Sequence, residues 1–205
     1  MRFGWSPGGV TSGADFHFNS ISFGGPTRAV TRTSDVAGDV RLTALFPLAT
    51  DGAQTITVGG VDLDALQLEA GAITFELPGD DTLHLVSAEF PWFGGVLGVY
   101  EATASFAGEA MIPLRAQDID LKQILDYVNV AGLSGEGVLQ GSLPLVFRDG
   151  RAFIEDGFIE SVGSGVIRYA GAATEQAASE GGGAKIAFEM LKDLRYRSMK
   201  VTVSG

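Results

Sequence analysis

The stretch Gly71–Phe90, GAITFELPGDDTLHLVSAEF, holds the pattern on which the fold turns. Alternation with a period of two puts Ile73, Phe75 and Leu77 on one face. The run Pro78-Gly79-Asp80-Asp81 carries turn chemistry, and Leu83 and Leu85 resume the apolar face. This spacing predicts a hairpin with one apolar side. The same grammar spreads outward in both directions. In Gln54–Gly71, TITV and VDLDALQLE flank Gly59-Gly60, read as a turn, and in Tyr100–Leu114 the residues Ala102, Ala104, Phe106, Ala110 and Ile112 alternate with polar or small ones. Farther on, Gly137–Ser161 sets Leu139, Leu143, Leu145 and Phe147 on one face, with Asp149-Gly150 and Asp156-Gly157 read as turn dipeptides. The prediction is a mostly β chain running as an antiparallel meander.

Two segments depart from period two. In Asp118–Val130, DIDLKQILDYVNV, the apolar residues Ile119, Leu121, Ile124, Leu125 and Val128 suit a short amphipathic helix capped by Asp118 or Asp120. A second helix is predicted over Ala184–Leu194, where Ala184, Ala187, Phe188, Leu191 and Leu194 make a stripe. Between strands and helix, residues 171–183 are small, polar and glycine-rich and read as a mobile loop. After the second helix, RYRSMKVTVSG reads as a strand with Met199, Val201 and Val203 inward.

Composition narrows the function classes. The 205 residues make one β-rich unit, large enough to bury roughly 70% of the unfolded surface. Glycine occurs 29 times, about twice its usual share, while charged residues make up only 19%. With 45% hydrophobic residues this argues against disorder. Fourteen basic and 25 acidic residues leave a net charge of −11, so nucleic acid is an unsuitable partner. The absence of cysteine excludes a thiol nucleophile, a disulfide framework and cysteine-ligated zinc. Nowhere do 18 apolar residues follow one another, and the first residues hold no run of signal-peptide length. With a strand pattern running to its last residue, the chain reads as an excerpt of a longer sheet.

Catalytic motifs are not found. His17 and His84 sit in alternating strands on the face opposite their apolar neighbours, with no partner suited to general-base work. The pairs Asp62-Asp64, Asp80-Asp81 and Asp118-Asp120 read as a solvated strand face, a turn and a helix cap, and lack the spacing of a calcium loop. GEGVLQG enters a strand and lacks the ending of a phosphate loop, and Ser134 and Ser142 lie in no nucleophile elbow. No enzyme, metal site or cofactor follows. One-faced hairpins must still bury their apolar face. Two solutions fit the pattern: a closed sandwich or barrel with a dry core, or a curved sheet whose concave face is completed by an apolar ligand. Trp92 and Phe93, before Gly94-Gly95, read as a core plug or a membrane-facing pair, and the glycines as a bend or bulge.

A family resemblance bears on this choice. The motifs are D-L-x-Q-I-L around Asp120, L-S-G-x-G-x-L-x-G-x-L-P-L from Leu133, then I-x-D-G-x-I and G-x-G-V-I-R-Y. With S-A-x-x-P-W-F-G-G from Ser87 and the run Ala187–Gly205, they resemble the YdbH-like envelope proteins from about Val40 onward. That group is often labelled a dicarboxylate transport domain and is allied to AsmA-like and TamB-like bridge proteins. The resemblance implies a curved antiparallel β-sheet forming an elongated, β-taco-like apolar groove. It further implies a periplasmic protein, anchored to the inner membrane in its full length, that moves phospholipid acyl chains toward the outer membrane. Ile73, Phe75, Leu77, Leu83, Leu85, Leu139, Leu143, Leu145 and Phe147 would then line the groove. The dicarboxylate label implies instead a small-anion module using Arg148, Arg151, Arg168, Arg195 and Arg197. A structural solenoid would need a constant repeat, and none is present.

Overall fold

The computed structural model describes residues 2–6, 9–24, 30–63, 66–106, 109–170 and 192–205. Its first strands are β1 (Arg2–Ser6), β2 (Gly9–Gly24), β3 (Val30–Leu45), β4 (Leu48–Thr50), β5 (Gln54–Val58) and β6 (Gly60–Leu63). Next come β7 (Gln67–Leu68), β8 (Gly71–Glu76), β9 (Thr82–Trp92), β10 (Gly95–Ser105) and β11 (Ala110–Asp120). Helix α1 (Leu121–Val128) interrupts the series. It is followed by β12 (Leu133–Glu136), β13 (Val138–Arg148), β14 (Arg151–Ile154), β15 (Gly157–Ser161), β16 (Gly165–Tyr169), β17 (Leu194–Tyr196) and β18 (Lys200–Val203). Fifteen strands join one antiparallel sheet with the path β1-β2-β3-β5-β8-β9-β10-β11-β13-β15-β18, while β12, β16 and β17 form a second, small sheet. The large sheet curls into a half-barrel.

The turn chemistry of the quoted stretch acts as its residues dictate. Gly79 and Asp81 adopt positive φ between β8 and β9, and the Asp80 carboxylate accepts from the Thr82 backbone N–H at 3.2 Å. Phe75 then pairs with Leu85 and Ile73 with Ala88. Between these pairs the register slips by one residue at Val86, and across the β9–β10 ladder Glu101 holds a φ of 56° at the same level. The bulge changes which residues point inward, from Leu83 and Leu85 to Ala88 and Phe90, a switch invisible to strict alternation. A second slip, between Ala116 and Ile119 on β11, keeps both of these inward although their spacing is three.

Cross-strand rows show how the curled sheet fills its interior. Phe90, Leu97, Ala116, Gly141 and Ile159 follow one another across β9, β10, β11, β13 and β15. Leu97 and Ile119 are fully buried, and Leu114, Leu139, Leu143 and Leu145 nearly so. Each such side chain contributes about 1.5–3 kcal/mol of transfer free energy. Glycine is required within the row at Gly141, where a Cβ would collide with the Phe158 carbonyl oxygen on the adjoining strand.

Three glycine-containing sites differ from the sequence reading. Gly59-Gly60 makes no hairpin between β5 and β6, because both strands lie consecutively along β3. Gly59 marks the break between them, where its N–H donates to the Ser34 carbonyl at 2.8 Å and a Cβ would strike the Asp35 side chain. Likewise β14 and β15 lie in sequence along β13, so Asp156-Gly157 is a bulge and not a hairpin turn. Gly94 belongs to the β9–β10 turn itself. With φ of 44° at Phe93 and 77° at Gly94 between the paired Trp92 and Gly95, it is a two-residue turn of the twist-compatible kind. Asp149-Gly150 makes the β13–β14 turn as predicted, with φ of 52° and 71°.

Helix α1 forms where its periodicity places it. The Asp120 carboxylate caps it by accepting from the Lys122 N–H at 2.8 Å, and Asn129 closes it in the left-handed conformation, donating to the Leu125 carbonyl at 3.0 Å. Leu121 is buried and Ile124 and Leu125 pack against the core, but Val128 is exposed and Ile119 belongs to β11. Among the described residues α1 is the one helix, against two expected. Leu194, the last residue of the second predicted helix, lies in β17, and the rest of that helix up to Leu191 lies outside the described residues, as does the 171–183 segment. In the final strand Met199 and Val203 pack against the core, whereas Val201 is exposed on the β18 edge.

Candidate functional site

The inward-facing apolar side chains of the half-barrel form one cluster. Leu85, Leu139, Leu143 and Leu145 belong to its buried cluster, and Ile73, Phe75 and Phe147 pack partly buried against it. Leu77 is buried just past the end of β8, and Leu83 is half-buried, level with Ala104 across the ladder. The structure therefore gathers seven of these nine residues into one interior; Leu83 shares the face of Leu85 but, like Leu77, is not part of that cluster. Sequence alternation missed Ala88, Phe90, Leu97, Val99 and Leu114, which lie nearer its centre. The signal for Phe90 was the shared spacing with Trp92, masked by the bulge at Val86.

That interior reaches the surface at one end. Trp92 extends the line of Ala88 and Phe90, and from it opens a cleft of about 1110 Å³ between the β6–β7 hairpin and α1. Leu63, Leu66 and Leu68 form its apolar wall on the hairpin side, and Trp92, Phe93 and Tyr127 on the other. The Trp92 and Phe93 ring centroids lie 4.9 Å apart, and those of Phe93 and Tyr127 5.4 Å apart, at tilted and edge-on angles. Trp92 and Phe93 pack partly buried against the core, so the aromatic pair is continuous with both core and cleft. Two backbone bonds tie α1 to this end of the sheet: Asp120 N–H to the Phe93 carbonyl at 2.9 Å, and Leu121 N–H to the Gly137 carbonyl at 3.0 Å. No described helix is long and apolar enough to cross a membrane.

Of the arginines considered for anion capture, Arg148 and Arg151 lie in the large sheet, Arg168 and Arg195 in the small one, and Arg197 in the connection between β17 and β18. Arg148 donates to Glu109 at 2.6 Å and to Glu155 at 3.1 Å. Arg168 donates to Glu136 at 2.8 Å and to Asp193 at 3.2 Å, and Arg195 to Asp193 at 3.0 Å. The hydrogen bonds to Glu109 and Glu136 are the largest causes raising the Arg148 and Arg168 guanidiniums above their ordinary value. Arg195 in turn draws the Asp193 carboxyl below its own. Arg151 lies over the Phe153 ring. His17 pairs with Asp39 at 2.7 Å with both side chains exposed, and His84 is half-buried. Asp118 takes φ of 55° at the β11 bulge and Asp120 caps α1, so backbone geometry accounts for both.

A YdbH-like family, described as Intermembrane phospholipid transport protein YdbH, matches residues 1–205. The chain belongs to the YdbH-like family. The match includes the residues before Val40, where no motif had been recognised. Comparison with curated proteins and with solved structures produced no match. Within the YdbH-like chain the hallmark run Leu133–Leu145 corresponds to β12, Gly137 and the buried half of β13, with its leucines at positions 139, 143 and 145 in the core.

Proposed function

We propose that this chain is a β-rich segment of a non-enzymatic conduit that carries phospholipid across the periplasm between inner and outer membrane. The observation that carries the reading is the single apolar cluster that gathers side chains of β8, β9, β10, β11 and β13 and shares Trp92, Phe93 and Leu68 with the lining of the cleft. Acyl chains lie along this face and polar headgroups stay in water. Each methylene withdrawn from water gains about 0.8 kcal/mol, so two chains are held firmly, while a uniform apolar wall lets them slide without specific stops. The segment works as part of a longer protein tethered to the inner membrane. Family membership supports this reading over a closed structural domain. The pairing of Arg148, Arg168 and Arg195 with carboxylates weighs against a small-anion module.

The test is site-specific photocrosslinking in cells. A photoreactive residue at the half-buried inner positions Leu83 and Phe147 is expected to capture phospholipid, and one at the exposed Thr103 of β10 is not. Capture of protein alone at all three positions overturns the conduit.

A further inference from the structure

The large sheet forks beside the cleft. Along β3 the strand β6 gives way to β5 at Gly59, and β8 joins β5 in the ladder from Gly71 onward. Past that level β6 and β7 form one branch and β9 with β10 the other, with β7 in contact with β9. Among the described residues, Gln67 and Leu68 of β7 pair only with β6, and Phe90, Pro91 and Trp92 of β9 only with β10. These two strand edges border the cleft of about 1110 Å³, whose lining includes Gly59, Gln67, Leu68, Pro91 and Trp92. The hairpin has one apolar face: Val61 pairs with Leu68 and Leu63 with Leu66, and all four belong to the core cluster or pack against it. On the other wall Trp92 and Phe93 pack against the same cluster.

A sheet edge without a neighbour ordinarily invites a further strand. Here the middle residue of the β9 edge is Pro91, which has no N–H to give to a ladder, so the edge is blunted against an added peptide. An anion fits no better. Asp62 and Glu69 are in the lining, and among the described residues no lysine or arginine is. An alkyl chain needs neither donors nor charge, and it gains from every methylene withdrawn from water. Pockets for drug-sized ligands span ~300–1,000 Å³, so space in this cleft does not limit a lipid tail. Leu68, Trp92 and Phe93 are shared between the cleft lining and the core cluster, so a tail lying on them already touches the interior. We infer that the cleft is a lateral port through which a phospholipid acyl chain passes between the outside of the sheet and its interior. The chain enters between β7 and β9, along Leu66 and Leu68 on one wall and Trp92 and Phe93 on the other, while the phosphate stays outside. Tyr127 of α1, 72% exposed, stands at the rim. This inference rests on the conduit reading and gives the conduit a point of entry.

The experiment joins photocrosslinking in cells to lipid uptake by the full chain. A photoreactive residue at Tyr127 or Ala70, both exposed in the cleft lining, is expected to capture phospholipid as the interior position Leu83 does, and one at Thr103 is not. Uptake is followed with a phospholipid carrying a fluorescent acyl chain, supplied in phosphatidylethanolamine–phosphatidylglycerol vesicles. Ala70→Trp, which fills the cleft from an exposed position, is expected to slow uptake several-fold while leaving the final amount of bound lipid and the melting temperature unchanged. Thr103→Trp, on the outer side of β10, should alter neither rate nor amount. Lipid captured at Leu83 but at neither Tyr127 nor Ala70, or an uptake rate that Ala70→Trp leaves unchanged, overturns the port and spares the conduit. Capture of protein alone at Tyr127 and Ala70 assigns the cleft to a peptide and overturns the port in the same way. Absence of captured lipid at every position overturns the conduit, and the port with it.

Discussion

At the scale of single residues, side chains with one periodicity serve two ends of the same interior, and substitutions distinguish them. Leu143, 2% exposed in the centre of β13, has no room to relax, so Leu143→Ala is expected to cost about 2–5 kcal/mol in urea denaturation. Tyr127, 72% exposed at the cleft, should lose only about 0.5–1.5 kcal/mol on replacement by alanine, the worth of its edge-on contact with Phe93. Gly141→Ala forces a methyl into the Phe158 carbonyl oxygen within the core row and should destabilise by more than the intrinsic backbone effect, lowering the denaturation midpoint clearly. The leucines were legible because burial on one face demands apolar residues at every second position. Ala88 and Phe90 were not legible, because a bulge of one residue reverses that parity without leaving a mark in composition.

At the scale of elements, caps and ion pairs fix the pieces that flank the interior. Asp120→Ala removes the acceptor for the first free N–H of α1 and should cost about 0.5–2 kcal/mol, read as a lower melting temperature. The edge between β16 and β17 carries the exposed cluster Arg168, Asp193 and Arg195. Folding lowers the Asp193 carboxyl, chiefly through the Arg195 hydrogen bond, so this contribution is fully present above the ordinary carboxylate value of about 4. It is lost as pH falls through the depressed folded value. Asp193→Asn should therefore flatten the acid limb of a stability–pH profile without adding stability at neutral pH. Element types were legible from periodicity, but partners were not. Asp149-Gly150 and Asp156-Gly157 have the same chemistry, yet one reverses the chain and the other only bulges it. The difference lies in whether β13 continues alongside, a long-range matter.

At the scale of the whole molecule, one core cluster spans β3 to β15 and the helix leans on its end. Amide exchange should then be slowest in β9, β10, β11 and β13, whose residues fill the interior, and fastest in β17 and β18, whose side chains are mostly exposed. Uniform protection across all strands, measured by mass spectrometry, would contradict a stability gradient from centre to edge. The amino-acid sequence alone determined that this chain is β-rich, antiparallel, acidic and apolar on one face, because alternation, turn residues and charge are local properties of neighbouring positions. Its hallmark motifs also pointed to the family. Only the tertiary structure decided that the faces curl into a half-barrel, that Trp92, Phe93, Tyr127 and Glu69 share a cleft, and that the arginines pair with carboxylates. Those outcomes depend on register slips and on contacts between residues far apart in the chain, and one misplaced residue in a ladder turns a whole strand to its other face.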